Sequence, residues 1–244
     1  RQQIDEIGRV QRSILPRRLP RVPGLDFAVS YEPSAAAGGD YYDFRNFDDG
    51  AFGVVIADVS GHGPAAAVVM AMLRTAMNVY HGINFPPDAI VPAMNRVMRD
   101  SLDAGTFVTA LFLRIHPISG VVQYANAGHC PPRLRHRDGT VSAISHDGSP
   151  PLGVLDTLDA AGGTFTMTPG ETLVLYTDGI TEAFSPTREL FGFERLDRAV
   201  STVNHAAADT LAAVEDAVAA HTDGRPATDD RCIVVLRYTG TETP

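Results

Sequence analysis

The sequence of 244 residues predicts an α+β fold in which sheets and helices form separate layers, and two observations lead to this prediction. Strand-like apolar segments follow one another directly in several parts of the chain, and pairs of helix-like segments separate them. Strands and helices do not alternate strictly, which argues against a parallel doubly wound sheet. The length and the 44% hydrophobic content suffice for one large domain with a full core.

The N-terminal part predicts one helix followed by three strands. Residues 1–15 form an amphipathic pattern that the following prolines end, and its apolar positions are Ile4, Ile7, Val10 (or Gln11) and Ile14. This helix either packs on the domain's own core or continues from an upstream module as a signalling or dimerising helix. Strands are predicted over 25–32, 40–47 and 51–57, with a hairpin turn at Asp48-Asp49-Gly50.

The remainder of the chain predicts two helices, a strand-rich middle and a mixed C-terminal part. Residues 106–145 contain strand-like runs separated by Gly, Asn and Asp turns, which favours an antiparallel meander. The other predicted elements are helices at 64–80 and 87–103, a hairpin of 164–168 and 171–177 around Pro169-Gly170, a loop at 179–190, helices near 191–202 and 206–222, and a strand at 230–238.

Composition excludes several classes of function. The formal net charge is −9 and the 20 basic residues are scattered, so a nucleic-acid or anionic-membrane surface is not expected.

Two distant cysteines, Cys130 and Cys232, indicate neither a disulfide framework nor a zinc site. The sequence contains no recognisable signal peptide or membrane span, which indicates a cytoplasmic protein. The chain starts at Arg1 inside a helical pattern, as expected for a piece of a longer protein.

Four aspartates lie where strand-like runs begin or end: Asp40, Asp58, Asp178 and Asp229. A sheet could bring such positions to a common rim, and carboxylates that lie close together cannot all remain ionised without compensation. A hard divalent cation, or two, supplies that compensation with oxygen ligands. The pattern therefore predicts a metal site used in hydrolysis.

Six motifs, in order, resemble the SpoIIE/RsbU-type serine phosphatases, a bacterial branch of the metal-dependent type 2C protein phosphatases. They are GGDYYDF, DVSGHG before an Ala-rich helix, YANAGHCPP, YTDGITEA, LFGFERL and a DD pair before the last strand. The resemblance covers about residues 5–237. It implies a four-layer α-β-β-α sandwich, with two central antiparallel sheets flanked by helices. The implied organisation is a linker or signalling helix over 1–20 and a phosphatase domain over 21–240.

The resemblance also implies which residues act. Two Mn²⁺ or Mg²⁺ ions would be bridged by Asp58 and would activate the water that attacks phosphorus. Asp40 and the backbone carbonyl of Val59 would serve the first ion, and Asp178 and Asp229 would serve the second. Asp58 and Asp178 would thus be catalytic through the metal-activated water, and Asp230 would orient its turn.

Several further residues have two interpretations. His62 is either a general acid or a loop histidine; it lies four positions after Asp58, whereas the better-known type 2C enzymes place a histidine two positions after that aspartate. His129 is either a structural turn residue or a residue on the substrate side, where Gly61 would also lie. The glycines of GGD and SGHG would permit close backbone approach to the metals. Segment 180–190 has the polar character of a flap that could select substrate.

The function expected from the resemblance is hydrolysis of phosphoserine on a regulatory protein, an anti-sigma-factor antagonist. An upstream sensor domain and a homodimer formed through the N-terminal helix would accompany it, with no nucleic-acid or membrane partner. Two alternatives remain: a catalytically degenerate binding module of the same fold, and a hydrolase of small phosphoesters. A run of arginines, Arg12, Arg17, Arg18 and Arg21, is either a solvated face or a docking surface for a phosphoprotein.

Overall fold

A computed structural model describes residues 2–61, 63–79, 86–103, 105–144, 149–159, 161–203 and 205–241. Its elements, in chain order, are α1 (Gln2–Ile14), β1 (Leu25–Glu32), β2 (Tyr41–Asn46), β3 (Phe52–Val59), α2 (Pro64–Val79), α3 (Pro87–Ser101), β4 (Val108–His116), β5 (Val121–Ala127), β6 (Arg133–Arg135), β7 (Val141–Ala143), β8 (Ala161–Thr166), β9 (Thr172–Tyr176), α4 (Asp178–Thr181), α5 (Gly192–Ser201), α6 (Ala207–Thr222) and β10 (Arg231–Tyr238).

The strands form two antiparallel five-stranded sheets. One sheet has the order β2-β3-β4-β5-β8 and the other has the order β1-β10-β9-β6-β7. Helices α2 and α3 cover the first sheet, and α5 and α6 cover the second. The predicted α-β-β-α sandwich is therefore confirmed.

The core lies between the sheets and beneath the helices, and β10 shows how the sequence specifies both layers. Val234 and Leu236 pack in the core shared with the first sheet, whereas the alternate residues Ile233 and Val235 pack in the cluster shared with α5 and α6. All four are at most 2% exposed. Because successive side chains point to opposite faces, a continuous apolar run is required in a strand covered on both sides.

Two predicted connections are wrong. The predicted meander of the middle part is instead two separate hairpins, β4-β5 in the first sheet and β6-β7 in the second. The predicted hairpin around Pro169-Gly170 is instead a crossover, since β8 pairs with β5 and β9 pairs with β10 and β6. A turn signal fixes where the chain bends but not which sheet the next strand joins.

Helix α1 packs against α2, outside the first sheet. Of the two candidates at its third apolar position, Gln11 is buried and Val10 is 59% exposed. The side chain of Ile4 lies outside the part of the chain that the structure describes. None of the helices in the described ranges is long and apolar enough to cross a membrane.

Candidate metal centre

Asp40 and Asp58 lie across from one another at the open end of the β2-β3 hairpin. Tyr41 pairs with Ala57, so the residue before β2 is placed opposite the residue that follows Ala57 in β3. The turn of this hairpin lies at the far end, where the amide of Phe47 donates to the carbonyl of Ala51. The hairpin thus returns both carboxylates to one rim, as the sequence predicts.

Asp178 and Asp229 reach the same rim from the second sheet. Tyr176 pairs with Ile233, so the end of β9 and the start of β10 lie side by side. Asp178 is the first residue of α4 and lies two residues after the end of β9, and Asp229 lies two residues before β10. The hydroxyl of Thr177 donates to Asp40 Oδ2 over 2.7 Å and so joins the two sheets at this rim.

The electrostatics of the rim show that these carboxyl groups act on one another. Burial raises the pKa of Asp40 well above its usual range, and the charge of Asp58 adds to the increase. Burial is also the main cause that raises the pKa of Asp58, and the charges of Asp178 and Asp229 raise it further. The pKa of Asp178 is raised by burial and then by Glu182 and Asp229. The negative charge of these carboxylates is therefore not fully compensated by the hydrogen-bond donors around them.

The two neighbouring aspartates before β10 have different surroundings. Asp229 is exposed, whereas Asp230 is 2% exposed. Asp230 accepts hydrogen bonds from the backbone and hydroxyl of Ser34, at 2.7 and 3.0 Å, and from the amide of Gly39 at 2.6 Å. Asp230 thus holds the segment that leads into Asp40. The sequence indicates a role in its own turn but does not reveal this contact across the domain.

Two glycines allow this segment to pass close to its neighbours. A Cβ atom on Gly38 would overlap the carboxylate of Asp230, and one on Gly39 would lie 2.8 Å from the carbonyl oxygen of Val59. The backbone therefore passes close to its neighbours at both positions, and the predicted approach to the metals stays a prediction. It also places the Val59 carbonyl beside the residue that precedes Asp40.

Gln11 is a site residue that the sequence reasoning missed. Its side chain donates from Nε2 to the carbonyl of Gly38 at 2.5 Å and accepts from the amide of Gly38 at 2.9 Å. The same Nε2 donates to the hydroxyl of Tyr31 at 3.1 Å. Helix α1 is thereby attached to the segment that carries Asp40. The sequence feature that could have identified Gln11 is a polar residue at a core-facing position of an amphipathic helix.

His129 lies beneath the rim, between the two sheets. Its Nδ1 is 2.8 Å from the hydroxyl of Thr109, which pairs with Asp58 across β3 and β4. The side chain of Asn126 donates to the His129 carbonyl and accepts from its amide. Burial lowers the pKa of His129 to about 4, and an interaction with the backbone of Tyr176 opposes the shift. His129 is thus buried and hydrogen-bonded in its turn, and its role on the substrate side stays a prediction. The predicted acid candidate, His62, lies outside the described residues.

The oxygen donors at the rim have the chemistry that a hard divalent cation requires. They comprise four aspartates and the Val59 carbonyl, and a cation would relieve the mutual repulsion of the carboxylates. Within the part of the chain that the structure describes, no three His, Cys, Asp or Glu side chains are already grouped so that they could hold an ion. The residues present therefore fit a divalent ion in chemistry.

Two packed antiparallel sheets with helices on both outer faces are the fold of solved PP2C-type phosphatase domains. The chain belongs to the SpoIIE family, because the family model for stage II sporulation protein E matches residues 48–239. The predicted family is therefore confirmed, and solved PP2C-type phosphatase domains share its fold.

The similar proteins include phosphoserine phosphatase RsbU of Bacillus subtilis, 29% identical over 181 residues that cover 74% of this chain and 53% of RsbU. Among solved structures, the RsbU and RsbW domains of Rv1364c from Mycobacterium tuberculosis share 27% identity and a TM-score of 0.77, covering 92% of this chain and 62% of that one. The SiaA-PP2C domain of Pseudomonas aeruginosa shares the fold, with 24% identity, a TM-score of 0.82 and coverage of 97% and 96%. The chain spans about half the length of the curated relatives it matches.

Two further proteins of this fold were solved with divalent ions. The catalytic domain of PstP was solved with two manganese ions, at 15% identity, a TM-score of 0.65 and coverage of 87% of this chain and 97% of that one. RsbX was solved with magnesium, at 16% identity, a TM-score of 0.68 and coverage of 90% and 98%. At these identities they show a common fold, and the ions belong to those proteins.

Proposed function

We propose that this domain is a metal-dependent protein serine phosphatase. Its active site would be the carboxylate rim, which is formed by Asp40, Asp58, Asp178 and Asp229. The observation that carries the proposal is the convergence of two sheets on that rim, where the Thr177 hydroxyl bonds Asp40 and burial raises the pKa of both Asp40 and Asp58. Buried carboxyl groups with raised pKa values at the end of a sheet are typical of a functional site rather than of a folding core.

In this proposal the site holds two Mn²⁺ or Mg²⁺ ions. Asp58 would contact both ions, Asp40 and the Val59 carbonyl would hold one, and Asp178 and Asp229 would hold the other. When bound, such ions neutralise charge on a phosphoryl group and lower the pKa of a water that can attack it.

The chain's own residues position that site. Thr177 orients Asp40 through its hydrogen bond, and Asp230 fixes the segment before Asp40. Gln11 adds a second attachment of the same segment from helix α1. These contacts restrict the movement of Asp40 and of the segment before it, so that less ordering of this part remains when a ligand binds.

The proposed substrate is a phosphoserine on a regulatory protein, by similarity to relatives named phosphoserine phosphatases. An anti-sigma-factor antagonist is the specific candidate, since a solved neighbour combines an RsbU domain with an RsbW domain in one chain. We further propose that the domain spans 21–240, that residues 1–20 connect it to an upstream sensor, and that α1 contributes to a homodimer.

The test is release of phosphate from p-nitrophenyl phosphate and from a phosphoserine protein, with and without Mn²⁺. Asp58→Asn and Asp178→Asn should abolish the Mn²⁺-dependent rate, because each removes a proposed ligand charge. Asp48→Asn is the matched control, since Asp48 is exposed in the hairpin turn at the far end of β2 and β3. Equal rates in Asp58→Asn and the native chain would overturn the proposal, and turnover of the small ester alone would favour the small-phosphoester alternative.

A further inference from the structure

We infer that a basic cavity beside the carboxylate rim binds an acidic side chain of the protein substrate, close to the phosphoserine; this rests on the proposed function. The basic cavity has a volume of about 350 Å³ and lies between segments 184–188 and 222–231. Its charged lining residues are Arg188, Arg225 and Arg231, and its remaining lining residues are neutral.

Two of the three guanidinium groups are available for a ligand. Arg231 is engaged by Glu32, with an N–O distance of 3.3 Å. Among the described residues, the side chains of Arg188 and Arg225 have no hydrogen-bond or ion-pair partner. Unpaired cations that share one cavity repel each other, and an anion placed between them relieves that repulsion.

The segment that carries Arg188 has a fixed shape. Arg188 itself has a φ of 64°, in the left-handed region that residues other than glycine rarely adopt. The hydroxyl of Ser185 accepts hydrogen bonds from the amides of Thr187 and Glu189, at 3.2 and 3.0 Å. His221, near the end of α6, lies 3.0 Å from the carbonyl of Glu189. These contacts maintain a costly backbone conformation, which is more typical of a binding site than of an unconstrained loop.

The basic cavity shares a wall with the proposed active site. Arg231 follows Asp229 by two residues and donates from Nε to the carbonyl of Gly179 at 3.3 Å. Gly179 directly follows Asp178, and a Cβ atom on it would overlap the carbonyl oxygen of Asp230. A substrate segment with its phosphoserine at the rim would therefore pass directly by this cavity.

The chemistry of the cavity favours a carboxylate. A guanidinium binds a carboxylate through two parallel hydrogen bonds, which gives direction as well as attraction. Phe184, which is 47% exposed, and Pro226 would contact the methylene groups of an aspartate or glutamate. The volume accommodates an acidic side chain together with the peptide backbone beside it. A chain of net charge −9 would otherwise repel an acidic segment, so a local basic cavity determines where such a segment can dock.

The test measures binding without turnover, by fluorescence anisotropy in the presence of a chelator. Two labelled phosphoserine peptides are compared, one with glutamates flanking the phosphoserine and one with alanines. The native chain should bind the acidic peptide about tenfold more tightly, as expected for one charge-assisted contact. The variant Arg188→Asn/Arg225→Ser should lose this preference. Asn is used because it tolerates positive φ and so preserves the loop.

Arg96→Ser is the control, because Arg96 is exposed on α3 in the opposite layer and should leave the preference intact. Equal binding of both peptides by the native chain, or a preference that survives in Arg188→Asn/Arg225→Ser, would overturn the inference. The single variant Arg225→Ser, which should reduce the preference, serves if the double variant is unfolded. Competition by a single-stranded oligonucleotide as strong as that by the acidic peptide would also overturn it. Failure of the proposed function is distinct: it appears as no Mn²⁺-dependent hydrolysis while the binding preference remains.

Discussion

The hydroxyl of Thr177, after β9, donates a 2.7 Å hydrogen bond to the carboxylate of Asp40, before β2, and so connects the two sheets at the proposed active site. The same oxygen accepts a hydrogen bond from the amide of Cys232 at 2.9 Å. One side chain thus orients a proposed metal ligand and satisfies the start of β10. The fold and the site depend on each other at this position.

Thr177→Val should weaken both functions of this hydroxyl. The hydrogen bond to Asp40 is lost, and we expect the affinity for Mn²⁺ to fall about tenfold, measured by titration calorimetry. The buried amide of Cys232 is left without its acceptor, which should cost about 1–3 kcal/mol in the free energy of unfolding, measured with urea. Thr177→Ser keeps the hydroxyl and is the control. A Val variant with native affinity and stability would contradict this role.

Gln11→Ala should detach α1 from the segment before Asp40. The side chain makes two hydrogen bonds with the backbone of Gly38, so its loss should destabilise the domain by about 1–3 kcal/mol and weaken Mn²⁺ binding. Hydrogen exchange of the amides in 34–40 is the direct measurement, and faster exchange is expected there. Arg9→Ala, an exposed change on the same helix, should leave that exchange as in the native chain. Unchanged exchange in Gln11→Ala would show that α1 does not hold this segment.

Asp229 and Asp230 should separate stability from metal binding. Asp230→Asn weakens an acceptor of three hydrogen bonds, and we expect a loss of about 1–3 kcal/mol in the free energy of unfolding of the metal-free domain. Asp229→Asn changes an exposed residue, so it should leave that free energy within about 0.5 kcal/mol and reduce Mn²⁺ affinity. Each variant is the control for the other. The reverse pattern would assign the ligand role to Asp230.

His129 should make stability depend on pH. Its pKa is about 4 in the folded domain, against 6.5 for an ordinary histidine. Between these values the unfolded chain binds the extra proton, so the folded state loses stability as pH falls from 6.5 toward 4. The full effect is about 3 kcal/mol. Urea unfolding across this range should show a weaker dependence in His129→Gln, whereas His205→Gln, at an exposed site, should retain it. An identical dependence in His129→Gln would contradict a buried neutral imidazole.

The sequence predicted the rim because its information is local. Asp58 and Asp178 follow strands whose apolar runs are plain, and the step from Asp40 to Asp58 corresponds to one hairpin, as the pairing of Tyr41 with Ala57 confirms. The family resemblance supplied the sandwich. The assignment of the four aspartates as ligands stays a prediction.

The contacts that support the rim could not be predicted in the same way. Gln11 and Gly38 are 27 residues apart, and Thr177 and Asp40 are 137 residues apart, so no periodicity joins them. The crossover at Pro169-Gly170 has the same cause, because the turn residues of a hairpin and of a sheet-to-sheet connection are alike. Long-range side-chain contacts and strand order depend on packing of the whole domain.

The central claim is that the carboxylate rim is a divalent-metal site, and titration calorimetry with Mn²⁺ tests it most directly. The native domain should bind one or two ions, and Asp58→Asn should lose most of the binding heat while remaining folded. Asp48→Asn should bind as the native chain does. The same binding heat in Asp58→Asn as in the native domain would show that the metal, if any, lies elsewhere and would contradict the account.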